Sequence, residues 1–433
     1  MDNQSEWAVL ECAYLGTYPY SLVKSGQLAE YRQLLTDFEF IEAKINHPEF
    51  GVQALIEDYD LIDAETDNAK ALQLVQGALR LSAHVLRQDS RQLVGQLLGR
   101  MLGFQHPEIQ QLLARANQSQ TPGLRPLTPS LTAPGGALLR TLEGHSALVN
   151  AVAVTPDGER VISGSADNTL KVWNLPRGEL EQTFSGHSLS VTAVAVTPDG
   201  ERVISGSRDN TLKVWNLPRG ELEQTFSGHS RSVTALAVTP DGERVISGSH
   251  DKTLKVWNLH SGELEQTFSG HSGWVRALAV TPDGERVISG SWDKTLKVWN
   301  LHSGELEQTF SSHSVWVNAV AVTPDGKRVI SGSADNTLKV WNLPSGELEQ
   351  TFSGHSLSVT AVAVTPDGER VISGSTDKTV KVWNLHRGEV IANFPGDMPI
   401  TCCAISPDGQ TLIAGESSGR LHFLRLVGLE PNR

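Results

Sequence analysis

The chain has 433 residues, room for two or three domains of ordinary size. Its formal net charge of -13 is spread over both halves, so no basic patch stands ready for phosphates and a nucleic-acid ligand is disfavoured. The three cysteines, Cys12, Cys402 and Cys403, offer no metal-ligand spacing. The adjacent pair points to opposite faces of a strand, which disfavours a disulfide between them.

The opening MDNQSEWAVLEC has acids and no basic region before an apolar stretch, unlike a secretory signal. No apolar run approaches the ~18 residues of a membrane span. The expectation is a cytoplasmic protein with reduced thiols, no cofactor, no metal and no membrane contact.

Residues 1–116 read as a small all-α helical domain. Over 27–45, Leu28, Tyr31, Leu34, Leu35, Phe38, Ile41 and Ile45 recur at three- and four-residue spacing, predicting one amphipathic helix. His47-Pro48 and Gly51 interrupt it, and a short second helix is expected over 52–60. Thr66-Asp67-Asn68 offers a cap for a third over 69–86. Ser90 is the expected cap of a fourth through Met101. Pro107 suits the first turn of a fifth, ending near Ala116. Residues 117–136, rich in proline, glycine and hydroxyl side chains, read as a linker.

From residue 137 to 426 the chain repeats with a period of 42, before a tail at 427–433. A His recurs at 145, 187, 229, 271, 313 and 355, and a Trp at 173, 215, 257, 299, 341 and 383. Each unit holds four strand-like runs, in the first unit 149–155, 160–165, 169–175 and 179–184. Turn signals such as Pro156-Asp157-Gly158 separate them. Four strands per 40–45 residues is the period of a propeller blade. The first run is almost wholly apolar and belongs near the axis; the fourth, ELEQTF, alternates charge and belongs at the rim. A solenoid fits less well, because its end units need polar caps and the first unit here is as apolar as the middle ones. A lone strand at 137–142 and only three strands in the last unit predict a shared seventh blade that closes the ring. The fold class is therefore an all-β seven-bladed propeller preceded by a small all-α domain.

The recurring GH, PDG, SGSxDxT and KVW resemble the WD-repeat (WD40) family, with Asn after the Trp where that family usually has Asp. The resemblance covers about 290 residues. It implies a hydrogen-bonded network of His145, Ser163, Asp167 and Trp173 in the first blade, recurring five more times. The seventh unit lacks that set: Asp397 stands near the His position, Ser418 at the Asp and Leu424 at the Trp. That blade is expected to be softer. The helical region, LVKSGQLAEYRQLLTDFEFIEAKI then VQALIEDYDLI, resembles the helical arm beside the WD-repeat sensor of STAND (NACHT or NB-ARC) signalling proteins. No P-loop is present here, so a nucleotide-switch ATPase would be another chain or a lost upstream domain; a helical packing or dimerisation module is the alternative.

A His–Ser–Asp trio also invites a hydrolase reading. A nucleophile needs one activated, exposed serine and an oxyanion site, whereas this trio recurs six times with a tryptophan each time. The expectation is no catalytic residue and no enzyme.

Variation among the units gathers at three positions. Two follow the GHS: Leu148 and Asn150, Ser190 and Thr192, Ser232 and Thr234, Trp274 and Arg276, Trp316 and Asn318, Ser358 and Thr360. The third precedes the turn Asp: Ala166, Arg208, His250, Trp292, Ala334, Thr376. Since the His and Asp of one network must meet, these positions surround one mouth of the ring, and the PDG turns surround the other. Trp274, Arg276, Trp292, Trp316 and Asn318, with Arg208, Arg231 and His250 leading up to them, form the expected contact surface for a protein or peptide. Tryptophan and arginine are the residues most enriched at binding hot spots. The expected function is a non-catalytic interaction scaffold or ligand-sensing module; the alternatives are a structural oligomerisation scaffold with no specific ligand, or a fragment or partner of a STAND NTPase signalling system.

Overall fold

The computed structural model describes residues 12–62, 70–119, 133–134 and 138–425, which divide into two compact units, one helical and one of β-strands.

In the helical unit α1 (Tyr18–Lys24), α2 (Leu28–Leu35), α3 (Phe38–Asn46), α4 (Gly51–Asp58), α5 (Lys70–Gln88), α6 (Leu93–Met101) and α7 (Pro107–Gln118) follow in order. The single helix expected over 27–45 is in fact two. Asp37 breaks it, because its carboxylate accepts from the N–H groups of Glu39 (2.8 Å) and Phe40 (3.2 Å) and so caps a new helix. The apolar phase runs on across the break, which is why the pattern looked continuous: Tyr31, Leu34, Leu35, Phe38, Ile41 and Ile45 are all buried. Ser90 is not the cap of the fourth helix. It opens a 3-10 turn, Ser90–Gln92, capped by the Asp89 side chain on Arg91 N–H. The Thr66-Asp67-Asn68 cap lies outside the described residues. Burial in this unit extends to charge: Lys44 Nζ meets Asp58 Oδ2 at 2.5 Å inside the core. Burial pushes the Asp58 carboxyl up to about 6, against the pull of Lys44.

The β unit consists of seven four-stranded antiparallel sheets. In the first blade β2 (Val149–Val154), β3 (Arg160–Ser165), β4 (Thr169–Asn174) and β5 (Leu180–Ser185) lie in sequence order. Five further blades repeat this: β6–β9 within residues 191–227, β10–β13 within 233–269, β14–β17 within 275–311, β18–β21 within 317–353 and β22–β25 within 359–395. The seventh is made of β26 (Ile400–Ile405), β27 (Thr411–Glu416), β28 (Leu421–Arg425) and, outermost, β1 (Leu138–Leu142). First strands touch from blade to blade around the ring, and β26 packs back on β2. Joining the first strand to the last three leaves the ring without a gap.

The most buried strand is the second, not the apolar first. β3 is buried at every position but Arg160, whereas β2 is buried only at Val149. The reason is position: β3 has a strand on each side and a blade on each face, while β2 is the inner edge of its sheet. Close approach of blades fixes the glycine of SGS, since a Cβ on Gly164 would lie 2.6 Å from Val191 Cγ1 of the next blade. The rim strand β5 buries only Phe184, and that ring stacks on Trp215 of the second blade at 5.3 Å.

Candidate functional site: the variable mouth of the propeller

Each of the first six blades carries the same buried network, built where the loop before its first strand meets the turn between its second and third. In the first, His145 Nδ1 contacts Asp167 Oδ2 (2.8 Å) and His145 Nε2 contacts Ser163 Oγ (2.7 Å). The Trp173 indole N–H donates to Ser163 Oγ at 2.8 Å. Burial lowers the His145 pKa against the opposing pull of Asp167, so the ring is neutral at pH 7. Asp167 is therefore the acceptor of the Nδ1 proton, and Ser163 donates to Nε2. Burial opposes ionisation of Asp167, yet hydrogen bonds from Thr169 and His145 hold its carboxyl down to about 2. Ser163 is fully buried. A serine that is out of solvent and donating to a histidine already held by tryptophan and aspartate positions a turn; it offers no attackable approach for a substrate.

The seventh blade holds a different network. Ala414 and Leu424 take the Ser and Trp registers. Glu416, at the register of Ser165, is fully buried, and its Oε1 accepts from the backbone N–H groups of Asp397 (3.0 Å) and Met398 (3.3 Å). Ser418 Oγ donates to Oε2 at 2.9 Å, and His422 Nε2 lies 3.0 Å from Oε1. One carboxylate thus does the work that His and Asp share elsewhere. No repeat comparison could show this, because Glu416 and His422 occupy positions that are Ser and Lys in the other units.

At the mouth where the networks lie, the three variable positions per blade have separate geometries. The first and third are tied by a backbone bond: Trp292 N–H donates to Trp274 C=O at 2.9 Å, as Arg208 does to Ser190 and Ala334 to Trp316. Their side chains therefore emerge side by side. The second position is a stitch between blades. Asn150 Nδ2 donates to Val191 C=O (2.7 Å), and Thr192 and Thr234 hydroxyls donate to Val233 and Val275 C=O. Asn318 donates to Val359 C=O (3.0 Å), Thr360 to Ile400 C=O (2.7 Å), and Thr401 closes the ring onto Val149 C=O. Six of the seven junctions are sewn this way. At the seventh, between the fourth and fifth blades, Arg276 stands in the stitch position, and among the described residues it bonds to no carbonyl.

Four rings form one stack over this mouth. His250 of the third blade lies on Trp274 (4.0 Å between centroids), Trp274 on Trp292 (4.3 Å), and Trp292 on Trp316 of the fifth blade (4.2 Å). Trp274 and Trp292 are half-buried, while Trp316 at the end is 43% exposed. Gly273 makes room: a Cβ there would sit 2.4 Å from Asp293 N and 2.8 Å from Trp292 C. Burial, together with the charges of Arg276, Arg208 and Arg231, pushes the His250 pKa down to about 4. Burial and then Arg208 lower the Arg276 pKa. Of the residues expected at this face, His250, Trp274, Trp292, Trp316 and Arg276 are gathered, with Arg208 and Arg231 exposed beside them. Asn318 differs: its amide is occupied by Val359 C=O and Ser358 Oγ, so it belongs to the sewing of the ring. Among the described residues no cluster suits a metal ion, and no described helix is long and apolar enough to cross a membrane.

A ring of seven blades with a repeated buried lock, a uniform mouth and a variable one defines a propeller scaffold. The chain belongs to the WD40 family (WD domain, G-beta repeat), matching it at residues 136–174, 178–216, 220–258, 262–300, 304–342, 346–384 and 388–423. WD40 propellers are generally non-catalytic interaction scaffolds. The chain is 32% identical over 168 residues to human NACHT domain- and WD repeat-containing protein 1, which is 36% of this chain and 10% of that protein. The mouse protein of the same name is 28% identical over the same length, 11% of that protein. A shorter match, 34% over 71 residues, covers 16% of this chain and 22% of small ribosomal subunit protein RACK1 from Dictyostelium discoideum. The chain thus spans about a tenth of the length of the NACHT-domain relatives.

Proposed function

We propose that the protein is a cytoplasmic protein- or peptide-binding module whose contact surface is the variable mouth around Trp274, Arg276, Trp292 and Trp316. The observation that carries this is the stack of four aromatic rings beside three arginines, found in one sector of a ring whose first and sixth blades carry only Leu148 and Ala166, and Ser358 and Thr376, at the same positions. Stacked rings present large area with little rotamer freedom left to lose, the property of hot-spot residues. The three free cysteines suit a reducing compartment. The test is affinity capture from native lysate with wild type and with Trp274→Ala/Trp292→Ala/Trp316→Ala, quantified by mass spectrometry. Specific proteins should be lost from the variant while it stays folded and monodisperse; identical recovery would sink the reading in favour of a plain structural scaffold.

A second role is supported by the names of the relatives, which carry NACHT domains alongside WD repeats. Under it the helical unit docks the propeller to a nucleotide-switch ATPase. Residues 1–116 alone should then co-sediment with a NACHT-type ATPase and not with themselves; self-association without ATPase binding favours an oligomerisation module.

A further inference from the structure

We propose that the mouth over the second to fifth blades is a receptor for the carboxylates of an acidic peptide, with Arg276 as its central residue. This rests on the reading of the variable mouth as the contact surface, and adds the chemistry of what is held there.

Arg276 takes the seat from which Asn or Thr sews every other junction. A side chain-to-backbone bond of that kind stabilises the junction it spans. The fourth junction has lost it, in a repeat whose PDG, SGS and Trp positions scarcely vary. What stands there instead has no structural partner: among the described residues the Arg276 guanidinium makes no hydrogen bond and no ion pair, and its Nε is out of solvent with nothing to donate to.

The surroundings are cationic and unpaired. Arg208 and Arg231 are exposed and form no ion pair among the described residues. The regular strand arginines behave otherwise: Arg160, Arg202, Arg244, Arg286 and Arg328 each pair with a rim glutamate at 2.6–2.9 Å. In a chain of net charge -13, carboxylates are abundant, yet among the described residues none forms an ion pair with these three arginines. Among the described residues two more buried nitrogens, His250 Nε2 and Trp292 Nε1, also lack partners. Like charges crowded at one mouth with unused donors beneath them are relieved by an anion, and guanidinium forks match carboxylates in a paired geometry.

The ligand's backbone class follows from the rest of the site. A long-range negative field repels nucleic acid, whose charge is continuous, far more than a short peptide bearing a few carboxylates. The exposed ring of Trp316 offers a flat apolar seat at the far end of the stack. A segment with an acidic run and an aromatic side chain on the order of 10 Å away, about three residues of extended chain, fills both ends.

The test uses the full chain and fluorescence polarisation with a labelled decapeptide carrying three consecutive Glu and, three residues on, one Trp. The probes beside it are the same peptide with Gln for Glu, inorganic phosphate, and an oligothymidylate. The Glu peptide should bind at least tenfold tighter than the Gln peptide. Arg276→Thr, which restores the residue type of the sewn junctions, should bring the Glu peptide to the Gln level while the melting temperature holds or rises. Arg208→Ser/Arg231→Ser should weaken binding severalfold and flatten its salt dependence, and carries the test if Arg276→Thr fails to fold. Equal binding of the two peptides, or unchanged affinity in Arg276→Thr, overturns the proposal. So does phosphate or oligothymidylate competing as well as the Glu peptide, which would assign the site to free anions or nucleic acid. Loss of partner capture in the triple Trp variant together with equal Glu and Gln binding would keep the contact surface and remove the carboxylate receptor.

Discussion

The rings of Trp292 and Trp316 stack 4.2 Å apart and 11° from parallel across the junction of the fourth and fifth blades. This is the junction where Arg276 replaces the hydrogen-bonding stitch found at the other six. An aromatic pair contributes about 0.5–1.5 kcal/mol beyond area burial, the same size as the bond that is missing. The stack therefore holds the sector together while leaving its outer ring in water.

That placement separates two kinds of tryptophan. Trp316→Ala should cost about 1 kcal/mol, because the ring is 43% exposed and touches chiefly one neighbour. Trp299→Ala should cost about 3–5 kcal/mol, because its ring is buried and its N–H holds Ser289 Oγ at 2.8 Å. Urea unfolding of the two variants measures the difference. Equal losses would mean that Trp316 is core.

The seventh blade should depend on one carboxylate. Glu416→Ala strands two backbone N–H groups, Ser418 Oγ and His422 in a buried site, and should cost about 3–5 kcal/mol. Removing Asp167 in the first blade strands a comparable set, but five intact copies stand around it. Hydrogen exchange decides the matter. In Glu416→Ala, amides of β26–β28 should lose protection before those of β10–β13; uniform loss would show that the ring yields as one unit.

The fold was legible in the sequence because the repeat states it six times. Strand runs, turn signals and the odd strand at 137–142 together dictate seven closed blades. What stayed hidden had no repeat to expose it. Glu416 reads as a lapse from the Ser register until its four donors are seen around it. Asn318 reads as a variable surface residue because Asn and Thr differ in type while sharing one job, donation to the next blade's carbonyl. The break at Asp37 is invisible to periodicity, since apolar spacing continues straight through a capped junction. The tryptophans could be assigned to one mouth, but their joining with His250 into a single stack depends on Gly273, whose missing Cβ lets the Trp292 turn close down.

Acid should loosen the propeller in two steps. Burial lowers the pKa of His145, His187 and His355 against their aspartate partners, and His250 falls to about 4. A histidine depressed in the native state is protonated first in the unfolded chain. Its contribution is therefore complete above the ordinary value of about 6.5 and is lost as pH falls toward the native value. Each such group steepens the loss by at most about 1.4 kcal/mol per pH unit. Asp167 and Asp377, held at about 2, add a second decline once pH passes below the unfolded value of about 3.9. Urea midpoints should be level from pH 8 to 7, fall from about 6.5, and fall again below about 4. A level midpoint between pH 7 and 5 would show that these imidazoles are not held neutral.

Closure of the ring rests on a seam that differs from the rest only in what surrounds it. Thr401 Oγ donates to Val149 C=O, and Arg420 Nε meets Glu143 Oε1 at 2.8 Å beside it. The other stitches join blades that are also continuous in chain, so breaking one leaves the covalent link. The last joins β26 to β2, more than 240 residues apart, and the chain itself supplies only β1, which lies against β28 at the rim. Thr401→Val should therefore cost more than Thr234→Val, although each removes one bond of about 0.5–1.5 kcal/mol. Opening at the closing seam frees two blade faces, whereas opening elsewhere is restrained on both sides. Deleting residues 137–142 should expose β28 as a free edge and produce soluble aggregates, read by light scattering. Equal costs for the two threonines, together with a monodisperse deletion, would mean that the ring closes through its inner strands alone and that the shared blade is dispensable.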